Sequence, residues 1–206
     1  MDANKDQTSI LGNAKPSQAI VKLALPATLA LLAKAVYNIV DTAYIGMLGS
    51  DIALTAVGVT VPLLLIMVSI ENIFAAGAAV LAGRQLGAKD EEGASRTVTT
   101  IIGLSIVIGA VLCVGGIVFI EPLMRAFGAS DASLSLAEDY AFWMFVAALA
   151  NLPAQSMNCA ARAESSVKIS SIAVITGALL NVVLDPIFMF DWGLGMGVEG
   201  ASLATT

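Results

Sequence analysis

Along this chain, polar residues gather in short clusters between apolar runs of roughly 20 residues, and the runs do not alternate with period two. A run of that length crosses the hydrocarbon core of a bilayer as one helix. Lipid admits only helices or closed barrels, because each backbone polar group must be satisfied internally. The lack of alternation selects helices. Spans are predicted over about Ile20–Ile45, Ala53–Ala82, Val98–Ile120, Tyr140–Met157 and Ile169–Phe190. The terminal ASLATT reads as the opening of a sixth helix. Between them lie GMLGSD, the charged GRQLGAKDEEGASR, a segment with Glu121, Arg125 and Asp131, then RAESSVK and DWGLGMGVEG. The expected fold is an all-α polytopic membrane protein, with a cytoplasmic segment over 1–18 and a transmembrane helical region over 19–206.

Composition supports lipid as the solvent. The chain is 58% hydrophobic and 13% charged, with a mean hydropathy of +0.88, against about 25% charged residues in a typical soluble domain. The net charge of −6 matters less than where the cations stand. Lys5, Lys15, Lys22, Arg84, Lys89, Arg96, Arg162 and Lys168 fall on one side, eight of the ten Lys and Arg, while Arg125 lies opposite and Lys34 within the membrane. The positive-inside rule then makes the N-terminus cytoplasmic in a multi-pass protein of the cell membrane. No basic patch interleaved with aromatics points to nucleic acid. Histidine is absent, which removes the commonest general base and metal ligand. Cys113 and Cys159 fall in apolar runs and read as small buried hydrophobes. The N-terminus lacks the short apolar core of a signal peptide, so the first span is expected to be retained.

Two glycine patterns carry little. Gly195, Gly197 and Gly200 match a dinucleotide fingerprint, but that motif needs a preceding strand and a βαβ unit, and here it is a turn between apolar helices. Gly83 and Gly87 form a GxxxG, which fits close helix packing or a plain helix end.

The informative positions are ionisable residues inside the apolar runs, since each is costly unless paired or wet. They are Lys34, Asp41, Glu71 and Asp185. Counting from the cytoplasmic ends at 1.5 Å per residue puts Asp41 roughly 30 Å and Asp185 roughly 25 Å along their helices, which allows one shared depth. Asn181 shares a face with Asp185, and Tyr37 and Asn38 share one with Asp41. Two carboxylates among amides and hydroxyls suit protons or a hard monovalent cation. The plainer alternative is that both aspartates reach interfacial water, Asp185 at a helix end marked by Pro186. Lys34 and Glu71 are expected to pair across the first two spans or to serve transport. Pro26 removes a backbone hydrogen bond and bends the first span, as a hinge or as a static bend.

These residues also carry a family resemblance. LALPATLALLAKAVYNIVDTAYIGMLG resembles the first helix of multidrug and toxic compound extrusion (MATE) transporters. NVVLDPIFMFDWGLGMGVEGASLATT looks like their fifth helix, turn and sixth-helix start, and GRQLGAKDEEGA is similar to their second cytoplasmic connection. The likeness runs from about Ser17 to the last residue. It implies an antiporter that expels organic, often cationic compounds in exchange for Na⁺ or H⁺, with two six-helix lobes around a shared cavity. The chain would be the N-terminal lobe with its sixth helix truncated. By motif, the resemblance places a cation or proton site on Asp41, Asn181, Asp185 and Thr205, with Tyr140 and Asn158 beside it. It also matches Pro26 to a kink in the first helix.

The same resemblance implies that a second lobe is missing, so the chain is expected to be a fragment or to pair with another chain. No cofactor, no enzyme activity and no metal beyond Na⁺ are expected; the partners are lipid, small organic cations and the missing lobe. Other readings are a lipid-linked sugar flippase of the same superfamily, against which a lone Lys34 argues, and a structural membrane subunit. An intramembrane aspartyl protease would need a glycine-rich aspartate motif, and GLGM at 193–196 has methionine where the aspartate belongs.

Overall fold

A computed structural model describes residues 16–47, 50–163 and 167–205; the side chains of some helix-end positions, Thr205 among them, lie outside the description. The helices are α1 (Pro16–Met47), α2 (Asp51–Gly87), α3 (Glu91–Val118), α4 (Ile120–Ala126), α5 (Leu134–Ala163), α6 (Val167–Met189) and α7 (Val198–Thr205). The long helices run back and forth between two ends. One end holds Arg84, Lys89, Arg96 and Arg162; the other holds Asp51, Glu121, Asp131, Asp191 and Glu199. We call these the basic and acidic ends.

The connections show why the helices stop where they do. The charged segment after the second span is mostly helical: Gly87 closes α2, Lys89 turns the chain at φ 62°, and Asp90 caps α3 by accepting from Gly93 N at 2.9 Å. A Cβ on Gly87 would touch nothing, and Gly87 is the last residue of α2, so it marks a helix end. At the acidic end α4 is a short helix of seven residues, held by Arg125 bonding Glu121 and Asp131, both at 3.0 Å.

The helices pack in two groups. In the first, α2 and α3 flank α5, with α4 beneath, and Ala56, Leu63, Met67, Met124, Ala141, Phe145, Ala148 and Leu152 form its core. Lipid gives no hydrophobic drive to join helices, so close contact of small residues has to do it. A Cβ added at Gly109 of α3 would lie 2.9 Å from the Ala148 carbonyl oxygen of α5, and Ser105 and Ser156 share a buried hydrogen bond of 2.9 Å. The second group is α1 lying along α6, linked to the first mainly through α7 and the acidic end; α1 barely touches α2.

Among the described residues four helices, α1, α2, α3 and α6, are long and apolar enough to cross a membrane by length and composition alone. The helix expected as the fourth span, α5, is 30 residues long but too polar for that test. Its place between α2 and α3 explains the difference, because little of it has to face lipid. Cys113 and Cys159 are both buried free thiols. Helix α1 continues through Pro26 without a break.

Candidate ion site

Asp41 stands six residues from the end of α1 and Asp185 four residues from the end of α6, roughly 9 Å and 6 Å from the acidic end. Because α1 and α6 lie along each other and both run toward the acidic end, the two carboxyls come to one depth. Asp185 is fully buried, and helix α6 continues past Pro186, so the reading of Asp185 as a water-exposed helix end does not describe this structure. Asn181, one turn earlier on the same face, is 6% exposed and donates from Nδ2 to Asp185 Oδ1 at 3.1 Å.

Two acceptors in this cluster are conspicuous. Asp41 Oδ1 and Asp185 Oδ2 are buried and have no hydrogen-bond partner among the described residues. A buried carboxylate left so is costly until a proton or a cation joins it. Tyr37 of α1 and Tyr140 of α5 lie within electrostatic reach of both aspartates. Asn38 is exposed on α1, its carbonyl accepting from Thr42 Oγ1 at 2.8 Å. Thr205 ends α7, and its side chain lies outside the described residues.

One helical turn beyond each aspartate, Ile45 and Met189 close the site toward the acidic end with Ala201, all three essentially inaccessible. Tyr44 and Phe190 extend this plug with an edge-on ring contact at 6.1 Å. The turn after α6 holds the plug in place. Leu194 N, Met196 N and Gly197 N donate to the carbonyls of Ile187, Phe188 and Met189 at 2.8, 2.9 and 3.0 Å. Gly195 and Gly197 supply φ of 65° and 60°, and a Cβ on Gly193 would lie 1.9 Å from the Ile187 oxygen. Two glycines of the apparent dinucleotide fingerprint, Gly195 and Gly197, therefore build a turn, and the third, Gly200, lies in α7. From it α7 starts, tied to α5 by Ser202 Oγ donating to the Tyr140 carbonyl at 2.9 Å.

A second polar region opens toward the basic end. A cavity of about 450 Å³ lies between the two helix groups, lined by Lys34, Glu71, Asn72, Gln155, Arg162, Ser170 and Ser171 among others. Lys34 and Glu71 make no ion pair among the described residues, although their charges interact across this space. The expected pairing fails because α1 and α2 splay apart. Glu71 also lines a smaller pocket of about 80 Å³ with Tyr140, Asn151 and Ser202. Asn158 is not with the aspartates. It accepts from Arg162 Nη1 at 3.0 Å and from Ser170 Oγ, about 27 Å of helix away from Tyr140. Gln155 and Ser170 escaped the sequence reading, and Arg162 entered it only as one of the cations that set orientation. Their signal was the spacing of Asn151, Gln155, Asn158 and Arg162, which lays one polar stripe along α5.

The MatE family model matches residues 26–187, which include Asp41, Glu71, Asn181 and Asp185. This chain belongs to the MatE family. It is 29% identical over 188 residues to the multidrug export protein MepA of Staphylococcus aureus (strain bovine RF122 / ET3-1), covering 91% of this chain and 41% of MepA. It is 28% identical over 205 residues to an FAD transporter of Shewanella oneidensis, covering 98% of this chain and 44% of that protein. A solved outward-facing multidrug resistance MATE transporter of the MOP superfamily superposes with a TM-score of 0.87 at 30% identity, over 93% of this chain and 42% of the other. This MatE chain thus spans less than half the length of the relatives it matches, and the matched part is their N-terminal lobe. It is a multi-pass membrane protein.

Proposed function

We propose that this lobe carries the coupling site of a cation-driven antiporter that exports organic compounds across the cell membrane. The observation that carries the reading is the pair of half-buried Asp41 and fully buried Asp185, each with a buried carboxylate oxygen that has no partner among the described residues, on two helices packed side by side. Na⁺ or H⁺ would satisfy both oxygens, with Asn181 fixing Asp185, Tyr37 and Tyr140 close by, and Thr205 completing the set from α7. Asn38 and Asn158 serve elsewhere in this reading, because neither meets the carboxylates.

Occupation of the site relieves repulsion between α1 and α6 and draws them together, and loss of the ion lets them part. Helix α1 is free to respond because, apart from its contact with α6, it touches the other helices little, and Pro26 gives it a weak point in its basic half. Such a movement would reshape the cavity beside Lys34 and Glu71 and pass cargo outward. The basic end is then cytoplasmic, as the distribution of Lys and Arg supports. A second lobe, from the same product or another chain, would supply the opposite wall, as alternating access requires.

The test is drug efflux from cells expressing the complete gene product, comparing wild type with Asp41→Asn and Asp185→Asn while pH and Na⁺ are varied separately. Loss of efflux at normal membrane levels is expected for both variants, and the ion that drives wild type identifies the gradient. Normal pumping by both would leave the aspartates without a coupling role and favour a structural subunit.

A further inference from the structure

The cavity on the basic side of the ion site has its own chemistry. Its charged groups are Lys34 from α1, Glu71 from α2 and Arg162 from α5, so two cations face one carboxylate. Among the described residues neither cation forms an ion pair. Arg162 is anchored: Nη1 donates to Asn158 Oδ1 at 3.0 Å, Nη2 lies against Cys159 Sγ, and Asn158 is fixed in turn by Ser170 Oγ. A long side chain braced this way loses little further entropy when it meets a ligand. Ser170 and Ser171, both nearly buried, line the same end. Glu71 marks the other end, where the cavity nears the smaller pocket beside Tyr140. An apolar wall of Ala30, Leu31, Val68 and Val174 connects the two ends.

We propose that this cavity binds an organic molecule through an anionic group, a phosphate or carboxylate, seated on Arg162 with Lys34 and the two serines. Its apolar body lies along α1 and α2, and a hydrogen-bond donor faces Glu71. Guanidinium forks suit such oxyanions, and the pairing strengthens away from bulk water. The inference deepens the export reading by assigning its cargo an anionic end. Because α1 and α2 hardly touch, the space between them also admits a lipid from the side, and an anionic headgroup offers the same chemistry.

The test compares riboflavin 5′-phosphate with riboflavin, which share the ring and differ in the phosphate. Fluorescence titration of the purified protein in phosphatidylcholine nanodiscs, with no ion gradient, reads binding apart from coupling. The phosphate is expected to bind at least about tenfold more tightly, equivalent to about 1.4 kcal/mol. Arg162→Gln should erase that preference, and Lys34→Gln and Arg162→Lys should each reduce it. Equal affinity for the two flavins, no binding of the phosphate, or a preference that survives Arg162→Gln overturns the proposal. Repeating the titration with phosphatidylglycerol separates the sources: competition by it supports the site with a lipid headgroup as occupant, and an undiminished preference supports a soluble anion. The titration reads binding without a gradient and the efflux test reads coupling through Asp41 and Asp185, so failure of the coupling site and failure of the anion site are distinguished.

Discussion

The α2–α3–α5 group and the α1–α6 pair are built from similar apolar residues, yet they are held together differently. In the first, alanines and glycines let backbones meet: Ala53, Ala56, Ala75, Ala78 and Ala82 of α2 are all at most 3% exposed. In the second, α1 buries only Ala30 and Ile45 among its described hydrophobics, while Leu31, Leu32, Val36 and Ile39 are all more than half exposed. The polar residues that matter, Lys34, Tyr37 and Asp41, nevertheless lie on α1. Tight packing makes a frame, and sparse packing leaves a helix able to shift at low cost. The lobe combines a rigid support with one loosely held, chemically active helix.

That contrast is broken most directly inside the frame. Gly109→Leu would drive a side chain into the Ala148 carbonyl and Leu149 backbone of α5, which no rotamer change relieves. Overpacking of this kind costs about 1–3 kcal/mol or more. The expected outcome is a marked fall in thermal unfolding temperature, or no folded protein, by fluorescence-detected melting in detergent. A melting point equal to wild type would show that α3 and α5 are not the rigid element.

Next in size is a change in the mobile helix. Pro26→Ala restores a backbone donor within α1 and removes its weak point. Efflux by the complete product should fall several-fold while the melting temperature stays level or rises, since alanine favours the helix by about 3 kcal/mol in an exposed interior. A loss of stability together with activity would instead make Pro26 a packing residue.

How far the sequence reveals this arrangement depends on which signal each feature leaves. Helix positions and the shared depth of Asp41 and Asp185 follow from apolar run lengths and counting along helices. The lateral arrangement does not, because lipid-facing and packed sides of a membrane helix are both apolar. Nothing in the chain indicates that α1 lies against α6 and away from α2, and the expected Lys34–Glu71 pair fails for that reason. Helix α5 carried a signal that hydropathy reads backwards: Asn151, Gln155, Asn158 and Arg162 make it the least apolar long helix because it is the central one. The plug of Ile45, Met189 and Ala201 leaves no trace beyond ordinary apolar residues. It becomes visible only once the ends of α1, α6 and α7 converge.

The smallest expected effects sharpen the comparison best, because they set a buried hydrogen bond of the frame against bare surface on the mobile helix. Ser156→Ala removes the Ser105–Ser156 bond, but Ser105 Oγ keeps the Ile101 carbonyl at 2.7 Å, so no polar group is orphaned. Interhelical bonds in membranes average about 0.6 kcal/mol, and a small but measurable drop in melting temperature is expected. Leu32→Ala on α1 removes a larger side chain, 56% of which is exposed. In water such a truncation would remove apolar surface from solvent, whereas in lipid the tails replace the lost contacts. Its effect on melting should therefore be smaller than that of Ser156→Ala, although it deletes more atoms. If Leu32→Ala proved the more damaging of the two, α1 would have to be held by contacts on the face that this lobe leaves open, and the loosely held helix would belong to a tighter assembly.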